Sequence, residues 1–329
     1  MKKLLRKLVV MTLVVGIVAL VGITSQTSEV LAKEKVYRFF LISHGGPGDP
    51  FWGTVFQGMR DAEKMLGGEV KTTLLAPKKH SIEILLDFLD TAMAANPDGI
   101  GITITSIEAL DKPLRRVIAK GTPVIAFNTT DPRPENERIP CLSAIGQIEF
   151  EAGAGSAKGM LKVFKPTRAV VATHKPGAVF SRERIRGIMS VLEPAGVKAE
   201  KIDVTLDPAK GVETLKSYKM KYPETDAILT VGTMPTHYGI DFITEENLKG
   251  KVKLGGFDVD EKIMKAITDD VCLYTIDQQA YLQGYLTVHW LYLNAKYGFR
   301  PPQQIPTGPT VITKDTLHLV KKGIEQGVR

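Results

Sequence analysis

Short apolar runs alternate with longer amphipathic stretches along the chain from Val36 onwards. The runs have the length of strands and are continuously apolar, as parallel strands covered on both faces are. In the stretches between them, apolar residues recur every three or four positions, which is the period of a helix. After Pro50, for example, they are Val55, Met59 and Ala62. This alternation predicts a doubly wound α/β sheet.

The alternation runs through two rounds of similar size, which predicts two lobes with a cleft between them. The predicted strands are Tyr37–Ser43, Val70–Leu75, Gly99–Ile104, Pro123–Phe127 and Cys141–Ile145, and then Ala169–Ala172, Ala199–Val204, Ala227–Val231, Val252–Phe257 and Leu273–Ile276. The predicted helices are Pro50–Leu66, His80–Ala95, Ile107–Lys120, Glu149–Val163, Arg182–Leu192, Pro208–Lys221, Met234–Leu248 and Glu261–Thr268. We interpret the proline-rich segments Thr130–Pro140 and Phe299–Pro309 as a surface loop and an extended strap.

The first residues predict export. Four basic residues within the first seven precede an apolar run from Leu8 to Ile23, and Val30-Leu31-Ala32 offers a small-residue cleavage site. This arrangement is typical of a secretory signal peptide, residues 1–32, cleaved after Ala32 to release the protein into a periplasm. An uncleaved N-terminal anchor is the alternative.

The charge and the motifs exclude several function classes. The whole chain has 329 residues and a formal net charge of +7, which falls to +4 after Ala32. No basic block stands out, so nucleic-acid binding is not expected. The glycine-rich loop Gly45–Asp49 matches no nucleotide-binding motif, the six histidines show no metal-ligand spacing, and no serine-nucleophile motif occurs. We therefore expect no enzyme activity, no metal and no cofactor.

Aromatic and polar side chains instead follow the predicted strands. Asp49 is an N-cap candidate with Pro50 at the first helical position, but this does not explain the aromatic pair Phe51-Trp52. Aromatic planes suit the C–H faces of a sugar ring, and amides, carboxylates and arginines suit its hydroxyls. Other polar residues at strand ends, where open α/β sheets bind ligands, are Thr103, Thr105, Asn128, Thr129, Thr233, Asp258, Asp277 and Gln278.

Arg182 is the basic residue that we favour for the cleft. It opens a predicted helix, where its positive charge opposes the helix dipole. A ligand or a carboxylate partner would offset that cost. The nearby Arg184 and Arg186 open the same predicted helix.

The chain resembles the sugar-binding type I periplasmic binding proteins, in particular the ribose-binding group. The similar segments are Asp49-Pro50-Phe51-Trp52, Gly121-Thr122-Pro123-Val124-Ile125, Ser181-Arg182-Glu183-Arg184, Gly255-Gly256-Phe257-Asp258 and Thr275-Ile276-Asp277-Gln278. The resemblance implies two doubly wound parallel-sheet lobes joined by a multi-strand hinge. It places an N-terminal lobe at 33–146 plus 279–304 and a C-terminal lobe at 147–278 plus 305–329.

The resemblance also implies a ligand site and partners. The implied ligand-contacting residues are His44, Asp49, Phe51, Trp52, Thr103, Asn128, Arg182, Thr233, Asp258 and Gln278. Ribose binders carry Asp-Arg where this chain has Asn128-Thr129, and their first loop is shorter, which favours a polyol or another sugar over ribose. The implied partners are a sugar or polyol and the membrane permease subunits of an ABC transporter, and we expect a monomer.

Several expectations accompany this hypothesis. A chemoreceptor-linked sensor, a nucleoside or furanosyl ligand, and an exported enzyme remain alternatives. Cys141 and Cys272 fall in opposite lobes of the implied fold, so we expect two free, buried thiols rather than a disulfide. We expect Trp52→Ala or Asp258→Ala to abolish ligand binding while leaving the stability of the unliganded protein nearly unchanged.

Overall fold

Two six-stranded sheets form the framework of the protein. The first sheet is fully parallel, and the second is parallel except for one edge strand. The computed structural model describes residues 35–46, 49–78 and 81–329. The predicted signal peptide and its cleavage site at Ala32 lie outside these residues. Within the described part of the chain, no helix is long and apolar enough to span a membrane.

The strand order is the same in both sheets. The first sheet has the order β11-β5-β4-β3-β1-β2 and the second β12-β10-β9-β8-β6-β7. The strands are β1 (Tyr37–Ile42), β2 (Val70–Leu75), β3 (Gly99–Ile102), β4 (Val124–Phe127), β5 (Ser143–Gly146), β6 (Arg168–Thr173), β7 (Lys198–Asp203), β8 (Thr225–Thr230), β9 (Lys253–Phe257), β10 (Tyr274–Asp277), β11 (Gln304–Pro306) and β12 (Thr310–Thr313). Position by position, β1 therefore corresponds to β6 and β4 to β9.

Helices follow most strands and cover the sheets. They are α1 (Pro50–Met65), α2 (Ile82–Ala94), α3 (Ile107–Ala119), α4 (Glu149–Val163), α5 (Val179–Leu192), α6 (Pro208–Lys221), α7 (Thr233–Glu245), α8 (Glu261–Thr268), α9 (Ala280–Tyr297) and α10 (His318–Glu325). The predicted α/β class with two doubly wound lobes is confirmed.

The element predictions were wrong or incomplete in five places. The helix predicted from Arg182 begins three residues earlier, at Val179. Helices α9 and α10 and the antiparallel strand β12 were not predicted. The predicted strap Phe299–Pro309 contains a strand, β11, which pairs with β5.

The chain passes between the sheets three times, after β5, after β10 and after β11. Asn128 and Gln278, which lie beside the first and second of these crossings, are joined by a hydrogen bond from Asn128 Nδ2 to Gln278 Oε1 (3.3 Å). The residue boundaries of the lobes stay a prediction, and the one at 304 falls inside β11.

Glycines allow one helix pair in each lobe to pack backbone to backbone. A Cβ on Gly58 of α1 would lie 2.1 Å from the carbonyl oxygen of Tyr281 in α9. In the second lobe, a Cβ on Gly187 of α5 would lie 2.1 Å from the carbonyl oxygen of Phe150 in α4. Both contacts are shorter than any side chain permits, so each pair depends on its glycine. The α4–α5 pair brings Glu149 next to Arg184 at the edge of the cleft.

The two thiols are free, as predicted, but only Cys272 is fully buried, and Cys141 is half-buried. Burial raises the pKa of both thiols to about 12. At pH 8 only about one thiol in 10,000 is then ionised, and the thiolate is the reactive form.

We therefore expect iodoacetamide at pH 8 to leave both cysteines of the native protein unmodified for hours, and to alkylate both within minutes in 6 M guanidinium. Mass spectrometry counts the modified thiols. Rapid alkylation of Cys272 in the native state would contradict its position in the core of the second lobe.

Candidate functional site

A polar and aromatic pocket lies where the carboxyl ends of the two sheets face each other, as the sequence predicted. Side chains from both lobes line it. They are His44, Asp49, Phe51, Trp52, Asn128, His174, Lys175, Phe180, Arg184, Val231, Gly232, Thr233, Asp258 and Gln278. We refer to this region as the interlobe cleft.

The structure brings eight of the ten predicted ligand residues into the cleft, and the two exceptions are Thr103 and Arg182. Thr103 is fully buried behind the cleft, and its hydroxyl has no hydrogen-bond partner within the described residues. Arg182 is exposed and donates to the carbonyl oxygen of Gly177 (2.9 Å). The basic residue that reaches the cleft is Arg184.

The two faces of α5 explain this difference. Residues four apart share a face of a helix, so Arg184 and Ile188 lie on the buried face, while Arg182 and Arg186 lie on the exposed face. The periodicity of the apolar residues that follow could have identified Arg184 from the sequence.

Arg184 is held by a buried ion pair. Its guanidinium donates to both carboxylate oxygens of Glu149 (2.6 and 3.0 Å), and the two side chains are 3% and 7% exposed. It also donates to the carbonyl oxygen of Val231 (3.0 Å) and lies over the rings of Phe180 and Phe257, 5.1 and 4.6 Å from their centroids. Because the guanidinium is held in one orientation, the N–H groups that these bonds leave unused point in a fixed direction.

Asp258 and Gln278 form the polar floor of the cleft. Asp258 accepts hydrogen bonds from Thr233 Oγ1 (2.6 Å) and from Gln278 Nε2 (2.5 Å). Gln278 Oε1 in turn accepts from Asn128 Nδ2 (3.3 Å) and Arg184 (3.4 Å). The N-cap of α8 is Asp260, so Asp258 does not cap that helix. Its carboxylate instead faces the cleft.

Two of these residues share an unusual backbone conformation. Asn128 after β4 and Asp258 after β9 occupy corresponding positions and have φ values of 60° and 70°. Asn and Asp tolerate this left-handed region better than other residues with a side chain. Such strain gathers at functional sites, and here it occurs at the same point of both lobes.

The two lobes also carry histidine and phenylalanine side chains at corresponding positions. His44 follows β1 and His174 follows β6, while Phe51 and Phe180 are each the second residue of the next helix. Phe180 stacks on His44 across the cleft, with ring centroids 5.5 Å apart and planes inclined by 23°. The sequence reasoning missed His174 and Phe180, although the repeat of the first half in the second was a signal for both.

Trp52 differs from its neighbour Phe51. Only 1% of Trp52 is exposed, and its ring contacts His44, Phe56 and Phe127 in the core. Phe51 is half-buried and lines the cleft edge-on to Trp52. Trp52 therefore packs in the core of the first lobe. Its burial leads us to expect that Trp52→Ala destabilises the unliganded protein, in place of the nearly unchanged stability expected from the sequence.

Opposite charges face each other across the cleft at Asp49 and Lys175. Asp49 also caps α1, accepting from the backbone N–H of Phe51 (3.2 Å), as predicted. Burial raises the pKa of Asp49, and the nearby charge of Lys175 offsets part of this rise. Burial likewise lowers the pKa of Lys175, against the charge of Asp49. Each charge makes the burial of the other less costly.

The lobes are closed on each other in this structure. The backbone N–H of Val179 in the second lobe donates to the carbonyl oxygen of Thr105 in the first (3.1 Å). The gap left among the cleft side chains has a volume of about 30 Å³.

Comparison with known proteins identifies the family. A family model described as the periplasmic binding protein domain matches residues 40–298. The chain belongs to the periplasmic binding protein family. The resemblance drawn from the sequence is thereby confirmed. Among the described residues, no three His, Cys, Asp or Glu side chains gather as a metal site would require.

Relatives of this periplasmic binding protein include sugar binders. The xylose/arabinose-binding protein XylF of Sulfolobus acidocaldarius is 26% identical over 284 residues, which cover 82% of this chain and 69% of the relative. An ABC sugar transporter protein of Legionella pneumophila, described as a periplasmic sugar-binding protein, superposes with a TM-score of 0.76 at 29% identity, covering 83% of this chain and 99% of its own.

A second solved structure confirms the fold over nearly the whole length of both chains. The carbohydrate transporter protein of Acidothermus cellulolyticus, solved in complex with myo-inositol, superposes with a TM-score of 0.82 at 24% identity. The match covers 89% of this chain and 100% of that one. The family is made of substrate-binding proteins, and membership implies a location outside the cytoplasm.

Proposed function

We propose that this protein is the extracytoplasmic solute-binding component of a sugar ABC transporter, which captures a sugar or cyclic polyol in the interlobe cleft. The observation that carries the proposal is the convergence of Asp258, Gln278, Asn128 and Arg184 beside aromatic rings in a cleft walled by both lobes. Carboxylate, amide and guanidinium groups suit ring hydroxyls, and the rings suit C–H faces.

Relatives support the ligand class. XylF is named for binding xylose and arabinose, and structural neighbours were solved with myo-inositol or D-arabinose. Pentoses and cyclic polyols are therefore the first candidates for this cleft. Delivery to membrane permease subunits, a monomeric state and the cleaved signal peptide belong to the same proposal.

Closure of the lobes is the mechanism that we propose. The ligand contacts groups from both lobes only when they are closed, so its differential affinity for the closed form shifts the population toward it. Asn128 and Gln278 lie beside the crossings that connect the lobes. Contact of a ligand hydroxyl with these amides couples occupation of the cleft to the hinge.

A thermal-shift panel tests the proposal. The mature protein is screened against pentoses, hexoses, myo-inositol and nucleosides. We expect at least one pentose or cyclic polyol to raise the melting temperature by several degrees, because a ligand at 100 times its Kd stabilises the native state by about 2.7 kcal/mol. Asp258→Ala is expected to remove the shift. A panel in which only nucleosides act, or nothing acts, would refute the sugar assignment.

A further inference from the structure

A second cavity lies on the hinge side of the molecule, and none of its lining residues belongs to the interlobe cleft. We call it the hinge cavity. Its volume is about 210 Å³. Ala144 and Gln304 of the first sheet form one wall, and Glu149 and Glu183 of the second lobe form the opposite wall.

The hinge cavity contains a buried acceptor without a partner. Gln147 lines it and is only 3% exposed. Its Nε2 donates to Glu149 Oε2 (2.7 Å), while its Oε1 has no hydrogen-bond partner in the described part of the chain. The carboxylate fixes which end of the amide is the donor. An unmet buried acceptor is destabilising, so a hydroxyl or N–H donor in the cavity would be stabilised here.

The acidic residues of the hinge cavity are already paired. Glu149 binds Arg184, and Glu183 binds Arg186 (2.5 Å). Asp131 accepts from Arg133 (2.7 Å) and from the backbone N–H of Ile139 (2.9 Å). These carboxylates therefore have little capacity left for a further cation.

Arg138 is the charged residue of the cavity that lacks a counterion. Its Nε donates to the carbonyl oxygen of Arg133, and over the described residues it makes no ion pair. The lining holds three carboxylates and two guanidinium groups, and Arg138 is the one among them that makes no ion pair within the described residues. Its charge favours an anionic group, and the planar guanidinium suits a carboxylate. Ile148, Phe150 and Val179 add apolar surface.

We propose that the hinge cavity is a second ligand site for a small hydroxycarboxylate, whose carboxylate binds Arg138 and whose hydroxyl donates to Gln147 Oε1. Both lobes form its walls, so occupation favours the closed form. Gln147 is also joined through Glu149 and Arg184 to Gln278 in the interlobe cleft. The second ligand therefore strengthens sugar binding, a coupling that rests on the proposed function.

Direct titration tests the site without reference to the sugar. Glycerate is titrated into the full chain by calorimetry, beside glycerol, which lacks the carboxylate, and acetate, which lacks the hydroxyl. We expect saturable binding of glycerate and at least tenfold weaker binding of both analogues. Arg138→Gln and Gln147→Met are each expected to lower the affinity for glycerate at least tenfold. Circular dichroism and the melting temperature verify that both variants are folded.

The control variant is Phe51→Ala, which alters the interlobe cleft outside the hydrogen-bonded path to Gln147 and is expected to leave glycerate affinity unchanged. Loss of glycerate binding in Phe51→Ala, or equal binding of glycerate and acetate, overturns the assignment. No binding of glycerate, as expected if only water satisfies Gln147, overturns it as well.

The coupling is measured separately, with the sugar that acts in the thermal-shift panel. In the native chain, saturating glycerate is expected to raise the affinity for that sugar about tenfold. In Arg138→Gln it is expected to have no effect. Unchanged sugar affinity refutes the coupling. If no sugar acts but glycerate binds as described, the sugar proposal fails while the hinge cavity site stands.

Discussion

Replacing Arg184 by alanine is expected to lower sugar affinity about 100-fold, because a hydrogen bond to a charged group contributes about 1.5–3 kcal/mol and Arg184 also orients Gln278 and Phe180. The same change at Arg182 is expected to alter the affinity by less than about twofold, since exposed side chains away from such contacts have small effects. Calorimetric titration of both variants with the same sugar makes the comparison.

Stability provides a second readout for Arg184. Arg184→Ala leaves Glu149 buried without its partner, which costs about 3–5 kcal/mol. Replacing the pair together, as Glu149→Leu with Arg184→Met, removes both charges and is expected to recover most of that loss. Sugar binding is not expected to recover, because the guanidinium is still missing.

Arg182→Ala is the matched control, since the two arginines lie two residues apart on opposite faces of one helix. A loss of binding in Arg182→Ala with normal binding in Arg184→Ala would show that the sequence-based assignment was correct and that the sugar binds outside the interlobe cleft. Recovery of binding in the double variant would show that Arg184 acts only through stability.

The sequence predicted the cleft well at most positions that directly follow a strand, with Thr103 after β3 as the exception. The carboxyl ends of parallel strands meet at one edge of a sheet, so Asn128 and Asp258 could be placed from strand positions alone. Arg184 could not be placed in this way, because it lies within a helix, where the period of the buried residues decides which face a side chain occupies. The start of that helix was also misplaced, since neither Ala178 nor its neighbours provide a side-chain cap.

Helix α9 was missed for a different reason. It packs against the first sheet on one side and against α1 on another, so its apolar residues surround much of the helix and show no single stripe. Its first residue follows Gln279, which has a left-handed φ of 52° and makes no side-chain cap. Burial of this kind is decided by the tertiary fold rather than by a local pattern.

The second lobe repeats the chemistry of the first at corresponding positions. His174 and Phe180 stand where His44 and Phe51 stand in the first lobe. A comparison of the two halves of the sequence would have added both to the predicted site. The comparison of the two halves would not have identified Lys175. We single out Lys175 because it faces Asp49 across the closed cleft.

The two aromatic residues at the start of α1 have different positions. Trp52 lies in the core of the first lobe, and Phe51 lies at the rim of the cleft, where we expect it to contact the ligand. Because Trp52 is buried and Phe51 is half-buried, we expect replacement of Trp52 to lower stability and replacement of Phe51 to lower ligand affinity. Gly45 shows how tightly Trp52 is held, since a Cβ there would lie 2.0 Å from its Nε1. The indole therefore fills its site completely.

Trp52→Ala is expected to destabilise the unliganded protein by about 3–5 kcal/mol, because it opens a cavity among Phe56, Phe127 and His44 that the core cannot close. The melting temperature should fall by roughly 10 °C. Phe51→Ala is expected to weaken sugar binding about tenfold while lowering the melting temperature by only a few degrees, since it removes a half-buried ring from the rim of the cleft. Trp52→Phe keeps most of the packing and should retain binding. A Trp52→Ala protein with unchanged melting temperature would show that the indole does not lie in the core, and the position of α1 against the first sheet would then be wrong.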